Sequence, residues 1–220
     1  SIDEWLNQST TFRHCHKGWR TGVDFIGQVD DPYLPPYLLG LWLGDGHSNQ
    51  ASITSADVEI ADYLKQFCDD TVQTLTVVDQ PSNASKIYHI VNNWSRGKTM
   101  TSLRKLGVRC NKHIPHSYLT ANRTQRLELL AGIVDSDGYK THNGYDFVFK
   151  VEQLANDLVY LCRSLGLAAY VKPCKKGIKS RNFVGDYFRV SVSGHCDEVP
   201  VKIKRHKCEP RQQKKNVLNT

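Results

Sequence analysis

The strongest constraint on the fold of this chain is that it repeats itself. Laying Pro36-Tyr37-Leu38-Leu39-Gly40-Leu41-Trp42-Leu43-Gly44-Asp45-Gly46 over Glu128-Leu129-Leu130-Ala131-Gly132-Ile133-Val134-Asp135-Ser136-Asp137-Gly138 puts Gly40 on Gly132, Gly44 on Ser136, Asp45 on Asp137 and Gly46 on Gly138, a shift of 92 residues. The context recurs with the motif. Ala51 to Thr54 alternates like a strand and leads into an amphipathic helix over Val58 to Cys68, as Tyr145 to Phe149 leads into Glu152 to Leu165. The strand-like Ile87 to Val91 has a counterpart in Tyr187 to Val192, each followed by a polar turn and a basic segment. The 220 residues therefore divide into an N-terminal extension (1–32), a first half (33–120), a second half (121–210) and a C-terminal tail (211–220), with the polar stretch Ser117 to Gln125 as the linker. Duplication within one chain is expected to make a monomer self-sufficient.

Each motif reads as a helix. Pro35 and Pro36 suit a helix start, Thr124 is placed to cap the second copy, and Gly46 and Gly138 are placed to end the two helices. Gly40 and Gly44 are four residues apart, as are Gly132 and Ser136, so each helix has a face nearly free of side chains. If those faces pack together, Asp45 and Asp137 emerge side by side. A carboxylate at a helix C-terminus meets the negative pole of the helix dipole, and here it also meets its twin. A divalent metal between hard oxygen ligands relieves both, and magnesium with water in its remaining positions fits. Such a centre can activate a water and stabilise the leaving oxygen of a phosphodiester. Asp-Gly is a common turn dipeptide, so one copy alone would read as ordinary core, but two copies in matching context do not. Asp135 has no acidic equivalent in the first copy, where Leu43 stands, and is expected to cap or hydrogen-bond locally.

Charge narrows the partner. Lys and Arg number 29 against 22 Asp and Glu, a net charge of +7, which favours a polyanion and makes nucleic acid the leading class. The longest apolar runs, near Tyr37 to Leu43 and Leu127 to Val134, fall short of the roughly 20 residues a bilayer needs, so no membrane partner is expected. No signal pattern opens the chain. Seven cysteines without paired spacing read as free thiols of a reducing interior, nuclear or cytoplasmic. His14, Cys15 and His16 lack a second spaced ligand pair and read as a solvated basic loop flanked by Arg13, Lys17 and Arg20, not as a zinc site.

The run Leu130-Ala131-Gly132-Ile133-Val134-Asp135-Ser136-Asp137-Gly138 is similar to the signature of the LAGLIDADG homing endonucleases, and Leu38 to Gly46 resembles the divergent first copy of intein-encoded members. The resemblance covers about 180 residues. It implies an α/β (α+β) fold of two pseudo-twofold-related halves, each a curved antiparallel sheet with helices, with the motif helices packed at the interface and the sheets forming a saddle over double-stranded DNA. It implies site-specific double-strand cleavage with magnesium, manganese being a substitute, and Asp45 and Asp137 correspond to the metal-binding acids. Gly44 and Ser136, beside them, complete the expected metal-binding set. Lys112-His113-Ile114-Pro115 resembles the segment that carries a basic catalytic residue in intein members, which assigns Lys112 to that role. The counterpart in the second half falls within Val201 to Lys207, where register is lost, and Lys204 is chosen ahead of Lys207 and Arg205. No protein-splicing blocks are visible, so an endonuclease domain is expected, fused in nature to splicing domains or a free-standing relative.

DNA would be read by strands in the major groove, where alternate side chains face bases. The candidates are Ser52, Thr54, His89, Asn92 and Asn93 in the first half and Lys172, Lys175, Lys179, Arg181, Arg189 and Ser191 in the second, with Lys172 to Arg181 read as a phosphate-binding loop. The rival expectations are a binding protein on the same fold that has lost cleavage, including an RNA maturase, and a protein-interaction module without salt-dependent affinity for nucleic acid.

Overall fold

The computed structural model describes residues 1–16, 20–81, 84–92, 97–178 and 183–210. Two short helices, α1 (Ile2–Leu6) and α2 (Thr10–Cys15), open the chain. The first half follows as α3 (Pro36–Asp45), β1 (Ser52–Ser55), α4 (Val58–Asp70), β2 (Thr74–Asp79), β3 (Lys86–Val91) and α5 (Lys98–Lys105). After α6 (His116–Leu119) comes the second half: α7 (Arg123–Asp137), β4 (Tyr139–Thr141), β5 (Gly144–Phe149), α8 (Glu152–Ser164), β6 (Ala168–Ile178) and β7 (Phe183–Ser193), then 3-10 turns at Cys196–Glu198 and Lys204–His206. Among the described residues no helix is long and apolar enough to cross a membrane, and none of the seven cysteines forms a disulfide.

The two motif helices, α3 and α7, form the centre. Their approach is set by the glycines: a Cβ on Gly40 would lie 2.9 Å from the Cα of Gly132, and one on Gly132 would lie 3.0 Å from the Cα of Gly40. Each would also collide with the partner helix backbone, at the Leu129 and Tyr37 carbonyls respectively. This reciprocity is the pseudo-twofold relation of the halves. Leu38, Leu39, Leu41 and Leu43 on α3 and Leu129, Leu130, Ile133 and Val134 on α7 are all buried. At roughly 1.5–3 kcal/mol for each fully buried aliphatic side chain, the pair is the main stabilising element of the interface.

Each half lays an antiparallel sheet over one amphipathic helix. The first sheet has the order β1-β3-β2 and the second β4-β5-β7-β6. Ile53, Tyr88 and Ile90 of the first sheet and Tyr145, Phe147, Phe149, Val190 and Val192 of the second are buried on the helix-covered faces. Alternation then leaves the opposite face of each sheet open.

Several sequence expectations need correction. Asn122, not Thr124, caps α7, its side chain accepting from the Gln125 N–H at 3.1 Å. Gly46 and Gly138 do end the motif helices but are extended, with φ of −76° and −81°, so no left-handed turn requires them. They are needed because a Cβ there would strike the Trp42 and Val134 carbonyls. Lys172 to Ile178 is not a loop: it belongs to β6, paired with β7 from Ala168↔Ser193 to Ile178↔Phe183. Richness in Lys and Gly suggested a loop, but the segment is an edge strand, where the missing N–H of Pro173 is tolerated. Within the polar stretch 117–125, Tyr118 and Ala121 are buried, and the Tyr118 hydroxyl donates to the Leu34 carbonyl at 2.6 Å. His14 and Cys15 lie on helix α2, not in a loop.

The extension before α3 is more than a leader. Gly27 bridges Ala121 in parallel, the Val23 N–H donates to the Ser164 carbonyl at 2.8 Å, and Gln125 exchanges two hydrogen bonds with the backbone of Val29. Arg126, fully buried, donates to the carbonyls of Ala121, Ser164 and Val23. Residues 23–29 thus run along the second half before the chain enters the first.

Candidate active site

Packing α3 on α7 brings the ends of both helices together, with Asp45 and Asp137 as their last residues. Gly44 is small because Ser136 stands opposite: a Cβ there would collide with the Ser136 hydroxyl and come within 3.2 Å of the Asp137 Cβ. The Ser136 hydroxyl is turned back on its own helix, donating to the Gly132 carbonyl at 2.9 Å.

Both carboxylates reach solvent, yet surrounding protein displaces much of their water. Burial, then the charge of Asp137, pushes the Asp45 carboxyl up to about 7, with Lys112 opposing. Burial raises Asp137 as well, with Lys112 and Lys176 opposing. Exposure screens part of both effects, but the direction is the same: two acids at the negative poles of two helices, short of positive charge.

Lys112 supplies one positive charge. Its Nζ donates to the carbonyls of Leu43 at 3.0 Å, Gly44 at 3.1 Å and Gly46 at 2.8 Å, and sits 5.1 Å from the centroid of the Trp42 ring. It therefore caps the end of α3, satisfying carbonyls that a helix terminus leaves unpaired. Burial lowers the Lys112 ammonium to about 8, while both acids pull it back up.

The second half has no such arrangement at Lys204, which is exposed on the turn Lys204–His206. Among the described residues, the charges of Lys112 and Lys176, and not that of Lys204, oppose the rise of the Asp137 carboxyl. Of the other two candidates, Arg205 is committed to Asp57 at the start of α4, donating from Nη2 to Oδ2 at 2.8 Å and from Nη1 to Oδ1, and the Lys207 carbonyl accepts from Lys140. Lys176, on β6, was not among the residues singled out in the sequence, where its strand read as a loop.

Asp135 also differs from expectation. Among the described residues its side chain bonds only to partners remote in sequence: Tyr37 donates to Oδ2 at 2.8 Å, the Lys202 N–H at 2.6 Å, and the His206 Nδ1 lies 3.1 Å from Oδ1. The carboxylate is buried, so it fastens the C-terminal segment and the first motif helix to α7 and leaves the solvent-facing site to Asp137. No sequence signal marks partners 98 and 71 residues away.

The donors fit a hard divalent cation. Among the described residues no three His, Cys, Asp or Glu gather into a metal-binding group, so protein carboxylates alone cannot fill a coordination sphere. Two acids, the Ser136 carbonyl and the free lone pair of the Gly44 carbonyl leave room for water and phosphate, as magnesium prefers.

The open sheet faces flank this point. In the first sheet, register places Ser52, His89 and Thr76 in one row and Thr54, Ile87 and Val78 in the next. Ser52 is nevertheless fully buried, donating to the Gln50 Oε1 at 3.4 Å, and so is removed from the readers. Thr54 contacts the His47 Nε2 at 3.0 Å, and Asn92 lies just past β3. In the second sheet, Tyr139, Asp146, Ser191 and Tyr170 form one row, and Val148, Arg189 and Lys172 the next. Lys175 has the opposite phase and pairs with Asp186 at 3.7 Å. Asn93, Lys179 and Arg181 lie outside the described residues.

Comparison with known proteins agrees with this architecture. The homing endonuclease family model matches residues 113–197. The chain is 38% identical over 150 residues to the replicative DNA helicase DnaB of Mycobacterium intracellulare, a match covering 68% of this chain and 22% of that protein. It is 28% identical over 161 residues to the homothallic switching endonuclease of Saccharomyces cerevisiae, covering 61% of this chain and 28% of that one. The chain thus spans about a quarter of the length of these curated relatives. In fold it matches the crystal structure of I-DmoI in complex with DNA and calcium, with a TM-score of 0.52 at 14% identity over 75% of this chain and 85% of that one. It matches I-DmoI with DNA and manganese at 0.51 and 15%, over 74% and 91%. With its paired motif helices and two antiparallel sheets, the chain has the two-half LAGLIDADG fold, and its residues 113–197 carry the pattern of the homing endonuclease family.

Proposed function

We propose that this chain is a monomeric, divalent-metal-dependent endonuclease that makes a double-strand cut at a specific site in DNA. The observation that carries this reading is the pair Asp45 and Asp137 at two abutting helix ends, with Lys112 beside them and an open sheet face on either side. One relative is an endonuclease, and the structures of similar fold hold DNA with calcium or manganese.

The residues divide the work as follows. Asp45 and Asp137 hold the metal, with Gly44 and Ser136 offering carbonyls. Bound magnesium would supply Lewis-acid activation of water and stabilisation of the leaving oxygen. Lys112, already positioned by three carbonyls, offsets the negative charge of the paired acids and of the incoming phosphate. Lys176, which acts on Asp137, replaces Lys204 as the cation of the second centre.

The match to 22% of a helicase supports the further reading that this chain is the endonuclease of an inserted element, an intein, joined in nature to splicing domains. The helicase's own activity is not carried over.

The test is cleavage of a plasmid library carrying random or genomic inserts, with magnesium, by the native chain and by Asp45→Asn and Asp137→Asn. Discrete linear products from the native chain, reduced to nicks or lost in each variant by about a hundredfold or more, are expected. DNA retained at low salt without any cut would replace the enzyme with a binding protein.

A further inference from the structure

The two open sheet faces are chemically different. In the first sheet the open face of β1, β2 and β3 presents Thr54, Thr74, Thr76, Val78, Ile87, His89 and Val91, none of them Asp, Glu, Lys or Arg. They are rich in methyl groups. The charged pair of that sheet, Lys86 and Asp79 at 3.1 Å, has the opposite phase and is self-neutralised. In the second sheet the same face carries Lys172, Lys176, Arg189 and Asp146. Lys172 and Arg189 stand directly opposite each other on neighbouring strands, both exposed. One row away, Asp146 and Ser191 border a cleft of about 670 Å³ with Tyr170.

Base edges answer this chemistry in a defined way. Arg and Lys bond the O6 and N7 of guanine, Asp accepts from the N4 of cytosine, and apolar or Thr methyl groups pack on the thymine methyl. Resting on the DNA-cleaving reading above, we infer that the target is compositionally asymmetric. The half lying on the second sheet contains G·C pairs read by Arg189, Lys172 and Asp146. The half lying on the first sheet is A·T-rich and read through the methyl groups of Thr54, Thr76 and Val78. Most of the electrostatic contribution to affinity comes from the second half.

The test is selection of double-stranded DNA from a random library in EDTA, where binding proceeds without cutting, using the native chain, Arg189→Gln, and Thr76→Ser combined with Val78→Ala. All three altered side chains are exposed, so the fold is spared. The native chain should enrich a site with one G·C-rich and one A·T-rich half. Arg189→Gln should replace a guanine preference by adenine at one position of the G·C half, a change of about tenfold in relative affinity there. The Thr76, Val78 double variant should relax only the other half. Halves of equal composition, or a consensus unmoved by Arg189→Gln while binding persists, overturn the inference and leave the DNA-binding reading standing. If no sequence is enriched and no DNA retained at low salt, both fall.

Discussion

The ends of the two motif helices hold the same acid in the same register but are supported differently. At the end of α3, Leu43 is buried core and Lys112 caps the terminus through three carbonyls. At the end of α7, the position of Leu43 is taken by Asp135, which reaches away from the site to Tyr37, Lys202 and His206. One centre is steadied by a cation brought in from outside its helix. The other is steadied by an extra acid that anchors a distant segment beneath it. The repeat thus keeps an aspartate at both helix ends while the supporting contacts differ, so a residue's role cannot be transferred across the repeat by register alone.

The comparison breaks most sharply at Asp135. Asp135→Ala leaves a buried histidine, a tyrosine hydroxyl and a backbone N–H without their common acceptor, and should cost about 3–5 kcal/mol in urea unfolding. A loss under about 1 kcal/mol would mean that the acid is not the anchor. Next come the shared glycines. Gly40→Ala and Gly132→Ala each push a methyl into the opposing backbone and should each cost about 1–3 kcal/mol. Unequal costs would show that one helix yields more readily than the other.

A pH series then separates the acids from their support. The folded Asp45 carboxyl, at about 7, lies above its unfolded value of 3.8. The folded state therefore holds the extra proton, and this contribution to stability is full below about 4 and is lost as pH rises through 7. Metal-free Tm, measured as native minus Asp45→Asn, should fall across that window, and magnesium should reverse the fall. Lys112→Met should lift the Asp45 carboxyl further and uncap α3, costing about 1 kcal/mol or less at neutral pH. The smallest effect is expected at the fourth-residue contact. Ser136→Gly should change stability by no more than about 0.5 kcal/mol, whereas Gly44→Ser meets the Ser136 side chain and should be relieved when the two substitutions are combined.

Much of this was legible in the chain. The small residues at 40, 44, 132 and 136 encode the helix contact because close approach has one requirement, the absence of a side chain. Lys112 was singled out by its segment, but its capping geometry was not legible there. What stayed hidden depends on tertiary partners. The acceptors of Lys112 lie 66 to 69 residues away, and the contacts of Asp135 lie 67 to 98 residues away. β6 was obscured by its richness in Lys and Gly, which an edge strand tolerates but which is an ordinary loop marker in a sequence window. The burial of Ser52 could not be foreseen from alternation, which assigns a face and not the depth of cover above it.

The run of residues 23–29 along the second half has a consequence for how this chain can be divided. A break in the backbone between Thr120 and Asn122 would leave that run on the N-terminal fragment and its partners Gln125, Arg126 and Ser164 on the C-terminal one. Each fragment would then carry half of a clasp as well as half of the helix pair. Two separately expressed pieces should reassemble without any added dimerisation module, and trimming the N-terminal piece to begin at α3 should weaken that complementation.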